Sequence, residues 1–186
     1  MSNHNIWQGK NIRLRAVETD DWQVFFDWFQ DTDFDRLTDT TLFPFSSAVV
    51  KKWVTDLSEK EPWKDHEFRW VIENLESDFV GTANTHSCDP RNGTFEYGVA
   101  IQREHWRNGY ASETIKLILT HFFHELRYQK VNVHIFSFNE ESLRLHEKLG
   151  FQIEGRLRRM IYTLGAYHDT VIMGLTREEF TEGDGS

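Results

Sequence analysis

One stretch of the sequence, from Phe95 to Leu126, restricts the folds open to the chain more than any other. Residues 95–101 first alternate in polarity and then become apolar, as in a strand. Charged and small residues follow at 102–109, and apolar residues then recur at helical spacing as far as Leu126. The pattern therefore predicts a strand that passes through a short loop into a long helix.

The loop before this helix has the chemistry of an anion site. The N–H groups at a helix N-terminus are unpaired and carry about half a positive charge, so they can hold a phosphate. Gly109 and Ala111 would let the backbone approach such a group, and Arg107 could add a charge. An ordinary connection with a solvated Arg107 fits the spacing about as well. Neither G-x-x-x-x-G-K-[ST] nor G-x-G-x-x-G occurs, which favours a phosphate carrier other than ATP or NAD.

Composition narrows the class of protein. With 186 residues and 39% hydrophobic content, we expect one domain over residues 1–186 with its own core. No apolar run approaches the roughly 20 residues of a membrane span, and no signal-like segment begins the chain. The single cysteine, Cys88, indicates a reducing compartment, so we expect a cytoplasmic protein. A net charge of -9 argues against a nucleic-acid binder and is compatible with a cationic substrate.

The order of the remaining patterns predicts the α/β class. Strands two to four should form an antiparallel meander, and the fifth should run parallel to the fourth because a helix intervenes. We expect strands at residues 11–17, 67–73, 79–86, 95–101, 131–138, 151–164 and 167–175, and helices at 19–30, 46–57, 111–127 and 139–149. The acidic stretch 31–41 is expected to be a solvated loop, or alternatively to attract an amine, and residues 181–186 a disordered tail.

Six short segments, in this order and spacing, resemble the GCN5-related N-acetyltransferase superfamily, and specifically its branch of ribosomal-protein N-terminal acetyltransferases. The resemblance implies an α/β (α+β) fold whose mixed, mostly antiparallel sheet is splayed between strands 4 and 5 and flanked by about four helices. The segments are Arg13-Leu14-Arg15-Ala16, Glu96-Tyr97-Gly98-Val99, residues 106–113, Asn139-Glu140-Glu141-Ser142, Lys148-Leu149-Gly150-Phe151 together with Glu154-Gly155, and Tyr167-His168-Asp169-Thr170.

The resemblance implies acetyl-CoA as co-substrate and no metal. In the family's pyrophosphate loop, Q/R-x-x-G-x-G/A, Gly109 and Ala111 match, and Trp106 replaces the first residue, as is usual in this branch. Arg107 stands where a glycine commonly follows, so its bulk could crowd the loop or its charge could reinforce phosphate binding. The residues assigned to acetyl-CoA are Val99, Ile101, Trp106, Arg107, Asn108, Gly109, Tyr110, Ala111, Ser112, Asn139 and Ser142.

Within this set, the backbone at Val99 and Ile101 is expected to pair with the pantetheine amides. Asn139 resembles the family's pantetheine contact, and Ser142 is either its companion or a helix cap. Gly98 inside the strand independently suggests a bulge or a close backbone approach.

The reaction implied by the resemblance is direct attack of a neutral amine on a thioester, through a tetrahedral intermediate. Glu96 is the candidate base, and its alternative is a half-exposed strand carboxylate. His146 lies where many members have a tyrosine, so it is the candidate acid, although a packing role is open to it beside Leu143. A general acid contributes about 10²–10⁴-fold. Proximity can supply more, so catalysis does not require one.

The branch implies a protein N-terminal α-amine as the acceptor. A polyamine or aminoglycoside is the alternative substrate, and a CoA-binding regulatory protein without turnover is a different class of answer. We expect no membrane contact and no direct nucleic-acid binding, and a homodimer is compatible with the sequence. His121 and His124 share a helix face but lack a third metal ligand, and Cys88 has no basic neighbour to activate it as a nucleophile.

Overall fold

A computed structural model of the chain describes residues 5–38 and 43–183, and within them it has seven strands and six α-helices. The strands are β1 (Ile12–Ala16), β2 (Arg69–Asn74), β3 (Phe79–Asp89), β4 (Thr94–Ile101), β5 (Lys130–Phe136), β6 (Gln152–Thr163) and β7 (Ala166–Thr176). The helices are α1 (Trp22–Trp28), α2 (Thr32–Thr38), α3 (Ser47–Ser58), α4 (Tyr110–Thr120), α5 (Glu140–Lys148) and α6 (Arg177–Gly183). Over these residues, no helix is long and apolar enough to cross a membrane.

The strands form one sheet in the order β1-β2-β3-β4-β5-β7-β6. The pairs β1–β2, β2–β3, β5–β7 and β6–β7 are antiparallel, and β4–β5 is parallel. The β4–β5 ladder runs only from the pair Thr94–Lys130 to the pair Glu96–Asn132, although both strands continue beyond it. The predicted α/β class, the parallel fifth strand and the splay between strands 4 and 5 are therefore confirmed.

The chain divides into two compact units. The first unit contains the chain up to His86 together with Gly98–His121, and the second contains Ser87–Tyr97 and the chain from Phe122 onward. Each unit has its own buried side chains. The expectation of a single domain over residues 1–186 stays a prediction.

The first unit has an aromatic-rich core between β2 and the helices α1 and α3. Phe25 is buried at its centre, with its ring edge-on to Trp53 at 5.1 Å and to Phe79 at 5.3 Å. Such edge-to-face pairs add about 0.5–1.5 kcal/mol to the effect of burial alone. The other fully buried members of this cluster are Val17, Val50, Val54 and Val71.

The acidic stretch after α1 is not a loop throughout, because residues 32–38 form α2. Asp31 accepts a hydrogen bond from the N–H of Phe34 at 3.0 Å, which supplies the cap that starts the helix. Phe34 is buried, and its ring lies 5.2 Å from that of Trp28. The loop prediction for 31–41 is therefore wrong over α2, and residues 39–42 lie outside the described residues.

The second unit is built on a different aromatic cluster and ends in a helix. Phe95 stacks on Phe122 with the ring centroids 4.2 Å apart. At the end of β7, the Glu179 carboxylate accepts the Thr176 N–H at 2.8 Å, and the Glu179 N–H donates to the Thr176 hydroxyl at 3.4 Å, forming a capping box. This cap and the burial of Phe180 start α6, which reaches Gly183. The disordered tail was therefore wrongly predicted for residues 181–183, and 184–186 lie outside the described residues.

The predicted helix over residues 111–127 is α4 followed by a π-helical turn at His121–Glu125. The buried face of α4 contains Ile115, Ile118 and Leu119, as the helical spacing indicated. The change to a wider turn after Thr120 is not visible in the apolar pattern, because Phe122 and Phe123 are both buried.

A buried carboxylate joins β1 to β2. Glu73 accepts hydrogen bonds from Arg13 and Arg15, and Arg15 also donates two bonds of 2.8 Å to Asp21. Burial acts to raise the pKa of Glu73, but the hydrogen bonds from Arg15 and Arg13 outweigh it and lower that pKa. The Glu73 side chain is 8% exposed, so its charge depends on these two partners.

Substituting Glu73→Gln should lower the free energy of unfolding by about 1–3 kcal/mol, because two guanidinium groups lose their shared counter-charge. The matched control is Asp56→Asn, which neutralises a carboxylate in the exposed Lys52–Asp56 pair and should cost less than about 1 kcal/mol. Urea unfolding of both variants measures the two effects. Equal losses in the two variants would contradict the special role of Glu73.

Candidate active site

The loop between β4 and α4 ends in an open helix N-terminus in the first unit. A 3-10 turn spans Arg103–His105, and Gly109 is the N-cap residue of α4 with φ of +81°. A Cβ built on Gly109 would meet no atom within 4 Å, so this terminus is accessible. The N–H groups of residues 110–112 lie in the first helical turn and have no partner inside the helix. Such a terminus can bind a phosphate.

Arg107 adopts a left-handed backbone conformation, with φ of +64°. Glycine enters this region freely, whereas another L-residue is disfavoured there by about 1–2 kcal/mol. The conformation explains why a glycine would suit this position in the family that the sequence resembles. The positive φ is a source of strain in the backbone of the loop that was not predicted. Crowding of the loop by the bulk of Arg107 and a contribution of its charge to phosphate binding both stay predictions.

Trp106 and Asn108 hold the loop in shape. The Trp106 indole N–H donates to the carbonyl of Ile101 at 2.7 Å, and the Asn108 side chain donates to the carbonyl of His105 at 3.1 Å. Both residues were predicted to bind the cofactor, and that role stays a prediction. The bonds observed here give them a structural role in the loop. The indole bond uses one of the two lone pairs of the Ile101 carbonyl, a predicted partner of pantetheine.

The glycine inside β4 faces a neighbouring side chain. A Cβ on Gly98 would lie 2.9 Å from Oδ1 of Asn84, so the predicted close approach exists, but it involves a side chain and not the backbone. A tighter backbone approach, which the sequence analysis missed, occurs at Gly81, whose Cβ would lie 2.3 Å from the carbonyl oxygen of Ala100. Val99, one residue further along β4, is half-buried.

In the second unit, the candidate base Glu96 has a histidine neighbour. Its side chain is 27% exposed, and its Oε1 lies 3.9 Å from Nε2 of His134. Glu96 is opposite Asn132 in the parallel ladder. The sequence analysis missed His134, although it follows Asn132 by two residues in a strand and therefore points to the same side. A carboxylate with an adjacent imidazole can accept a proton and pass it on.

The first turn of α5 is capped by a residue that was predicted to contact pantetheine. Asn139 is the N-cap residue, because its Oδ1 accepts the N–H of Ser142 at 3.1 Å. The cap considered for Ser142 therefore belongs to Asn139. The Ser142 hydroxyl lies 3.4 Å from Nδ1 of His146, one turn further along the helix. Contacts of Asn139 and Ser142 with pantetheine stay predictions.

His146 is buried, with 3% of its surface exposed. Its Nδ1 lies 2.7 Å from the carbonyl oxygen of Ser142, which can only accept, so Nδ1 carries the proton. Burial lowers the pKa of His146, against the raising effect of that hydrogen bond, and the ring is therefore neutral near pH 7. A neutral ring with its proton on Nδ1 has a lone pair at Nε2, so it is a poor proton donor there. The structure thus favours the packing role over the acid role.

His146 packs against two aromatic rings. The Tyr97 ring stacks on it with the centroids 5.9 Å apart, and Phe151 lies edge-on at 5.0 Å. In the described part of the chain, neither Nε2 of His146 nor the Tyr97 hydroxyl has a hydrogen-bond partner, and both atoms are buried. Burial raises the pKa of the Tyr97 hydroxyl well above its usual range.

The histidines near the end of α4 have aromatic surroundings. The His121 ring lies 4.6 Å from that of Trp7, and the His124 ring lies 6.2 Å from that of Phe180. Among the residues that the structure describes, no group of three or more His, Cys, Asp and Glu side chains could hold a metal ion.

Comparison with known proteins identifies the family. The family model for the acetyltransferase (GNAT) domain matches residues 11–152, which is most of the chain. The chain therefore belongs to the GNAT acetyltransferase family. It is an acetyl-CoA-dependent N-acetyltransferase, as the sequence motifs implied.

The names of individual relatives refer to different acetyltransferase activities. YokL, an uncharacterized N-acetyltransferase of Bacillus subtilis derived from the prophage SPbeta, is 44% identical over 174 residues, which cover 94% of each chain. YdaF of B. subtilis, provisionally named a ribosomal N-acetyltransferase, is 31% identical over 104 residues, 56% of each chain. The crystal structure of spermidine N-acetyltransferase from Vibrio cholerae with CoA and spermine has a TM-score of 0.80 at 21% identity, covering 91% of this chain and 98% of that one. That likeness shows a shared fold.

The His146 environment predicts a pH dependence of stability. The pKa of the ring is depressed in the folded chain, so below its ordinary value of 6.5 the unfolded chain binds a proton that the folded chain does not. Stability is therefore lost as pH falls, by up to about 1.4 kcal/mol between pH 7.5 and 5.5 from this residue. Urea unfolding at both pH values should show a smaller loss in His146→Phe than in the wild type, and an identical loss would contradict this assignment.

Proposed function

We propose that this N-acetyltransferase acetylates a primary amine at a protein N-terminus, by direct attack of the amine on the thioester of acetyl-CoA. The observation that carries the proposal is the half-exposed Glu96 beside His134, on the strand that leads into the loop with the open α4 terminus. A base and a phosphate-binding terminus are the two elements that this reaction needs from the chain. The similarity over part of the chain to YdaF, provisionally named a ribosomal N-acetyltransferase, supports this choice of acceptor over a small amine.

In this proposal, the loop holds the pyrophosphate of acetyl-CoA. The N–H groups of residues 110–112 would donate to its oxygens, and the absence of a side chain at Gly109 leaves room for them. The backbone at Val99 and Ile101 would pair with the pantetheine amides. Asn139 and Ser142, at the start of α5, would contact pantetheine in the second unit.

The chemistry requires a neutral amine. Glu96 would take a proton from the acceptor ammonium, directly or through a water molecule, and His134 is placed to pass the proton on. The amine nitrogen then attacks the acetyl carbon, and the carbon–sulfur bond breaks as the tetrahedral intermediate collapses. The thiolate takes a proton from water in our proposal, because the neutral His146 has no proton at Nε2.

A small polyamine is the second candidate acceptor. The fold shared with the V. cholerae spermidine N-acetyltransferase favours it, and a net charge of -9 suits a polycation. No feature of the described residues favours an aminoglycoside. A CoA-binding protein without turnover is disfavoured because the chain belongs to an enzyme family.

Thiol release from acetyl-CoA across a panel of amines tests the acceptor. The panel contains peptides with free N-termini, the same peptides with blocked N-termini, and spermidine. We expect release with the free peptides and none above buffer hydrolysis with the blocked ones. Release with spermidine alone would replace the proposed acceptor by a polyamine, and no release with any amine would contradict the proposed function.

Substituting Glu96→Gln should lower kcat by about 10²–10⁴-fold, the usual contribution of a general base, while the CoA affinity measured by calorimetry stays unchanged. The matched control is Glu76→Gln, which removes the same charge from an exposed turn between β2 and β3. This control should keep full activity. Full activity of the Glu96 variant would remove Glu96 from the mechanism.

A further inference from the structure

The amide oxygen of Asn132, on β5, is buried without a donor. The residue as a whole is half-buried, but its Oδ1 is covered, and no described residue donates a hydrogen bond to it. Buried polar groups in folded proteins nearly always have a partner, because leaving one of them unpaired destabilises the fold. This oxygen therefore requires an explanation.

The β4–β5 register places Asn132 beside the candidate base. Glu96 is the partner of Asn132 in the last pair of the parallel ladder, and neighbouring strands lie about 4.8 Å apart. In the pair before it, Phe95 and Val131 are both buried. Successive side chains point to opposite faces of a sheet, so Glu96 and Asn132 share the other face. All of these residues belong to the second unit.

A second carboxylate lies on the other side of Asn132. Asn132 is opposite Gly174 on β7, and a Cβ on that glycine would lie 2.6 Å from Oε1 of Glu154. Lys130, two residues before Asn132 on β5, donates to the same Oε1 at 2.5 Å, so its charge is offset there. Carboxylates therefore flank Asn132 on the sides of both neighbouring strands. They attract a cation, and an ammonium is also the kind of donor that the amide oxygen lacks.

We propose that Oδ1 of Asn132 accepts a hydrogen bond from the acceptor nitrogen and thereby makes the enzyme selective for primary over secondary amines. The inference rests on the proposed function, because it requires the acceptor amine to be at Glu96. Asn132 then orients the nitrogen while Glu96 removes its proton. The groups that contact the amine, Glu96, Asn132 and His134, all belong to the second unit.

A primary ammonium has three N–H groups, which is enough for both residues. The first proton passes to Glu96, and the lone pair that this frees attacks the acetyl carbon. Glu96 passes that proton to His134 and takes a second one from the nitrogen as the carbon–sulfur bond breaks. The third N–H stays on the Asn132 oxygen throughout and becomes the N–H of the product amide.

A secondary ammonium has only two N–H groups, and both protons must leave before an amide can form. Asn132 then loses its donor during the reaction. A buried acceptor left unpaired in the transition state should slow the reaction by about 10- to 100-fold. N-methylation also adds bulk, so the test compares the preference before and after Asn132 is changed.

The first experiment measures kcat/KM by thiol release from acetyl-CoA for matched primary and secondary amines. One pair is a peptide beginning with alanine and the same peptide beginning with N-methylalanine, and the other pair is putrescine and N,N′-dimethylputrescine. The pair whose primary member reacts faster is carried forward. For the wild type, we expect a preference for the primary amine of about 10-fold or more. Equal values would overturn the inference.

The second experiment repeats the measurement with two variants of similar size. Asn132→Leu has no acceptor and should lower kcat/KM of the primary amine by about 10- to 100-fold, with little effect on the secondary amine. Asn132→Asp, whose ionised carboxylate accepts but cannot donate, should keep most of the preference. A preference that survives Asn132→Leu, or that is lost equally in Asn132→Asp, would overturn the inference.

The matched control is Asn92→Leu, which removes a carboxamide from the exposed turn between β3 and β4. It should change neither the rates nor the preference. The CoA affinity of each variant, measured by calorimetry, checks that the chain is folded.

Binding measurements separate a failure of this inference from a failure of the proposed function. A peptide with a free N-terminus and its des-amino analogue are titrated by calorimetry into the full chain saturated with CoA. If no amine releases thiol, the proposed function is wrong. Weaker binding of the free peptide alone in Asn132→Leu, by about 3- to 10-fold, would then still support the amine contact, and unchanged binding would overturn it. If peptides are acetylated with a preference that does not depend on Asn132, the proposed function stands and the role of Asn132 is wrong.

Discussion

The backbone turn from Arg107 to Gly109 is the constraint on which the proposed acetyl-CoA site depends. Two left-handed residues within three positions reverse the chain after β4, and the indole bond from Trp106 to the Ile101 carbonyl fixes the turn against the strand end. The first-turn N–H groups of α4 follow this turn and have no partner inside the helix. Arg107 adopts its conformation at a cost, which a glycine would avoid, so the loop is held by its hydrogen bonds and not by local preference.

Two arginines of the sheet differ in how their charge is compensated. Arg15 is satisfied by Glu73 and Asp21, and this closed cluster ties β1 to β2 and to the turn before α1. Within residues 5–38 and 43–183, the guanidinium of Arg69 contacts the Thr82 hydroxyl and the Trp53 ring and pairs with no carboxylate.

Much of the fold could be predicted, because strands and helices leave periodic patterns and the β4–α4 motif fixes one parallel connection. The α2 helix was missed because it buries a single aromatic residue, Phe34, within an acidic stretch. Local motifs likewise indicated Glu96 and Gly109 as candidate site residues. His134 comes from another strand, and only the β4–β5 pairing brings it beside Glu96, so sequence order could not assign it.

Amide NMR spectra of the chain, recorded during a titration with CoA, test the central claim most directly. The account predicts that the backbone N–H signals of residues 107–112 shift more than those elsewhere in the first unit, since these groups would donate to the pyrophosphate. If CoA binds and these signals stay in place, phosphate recognition by the α4 terminus is contradicted.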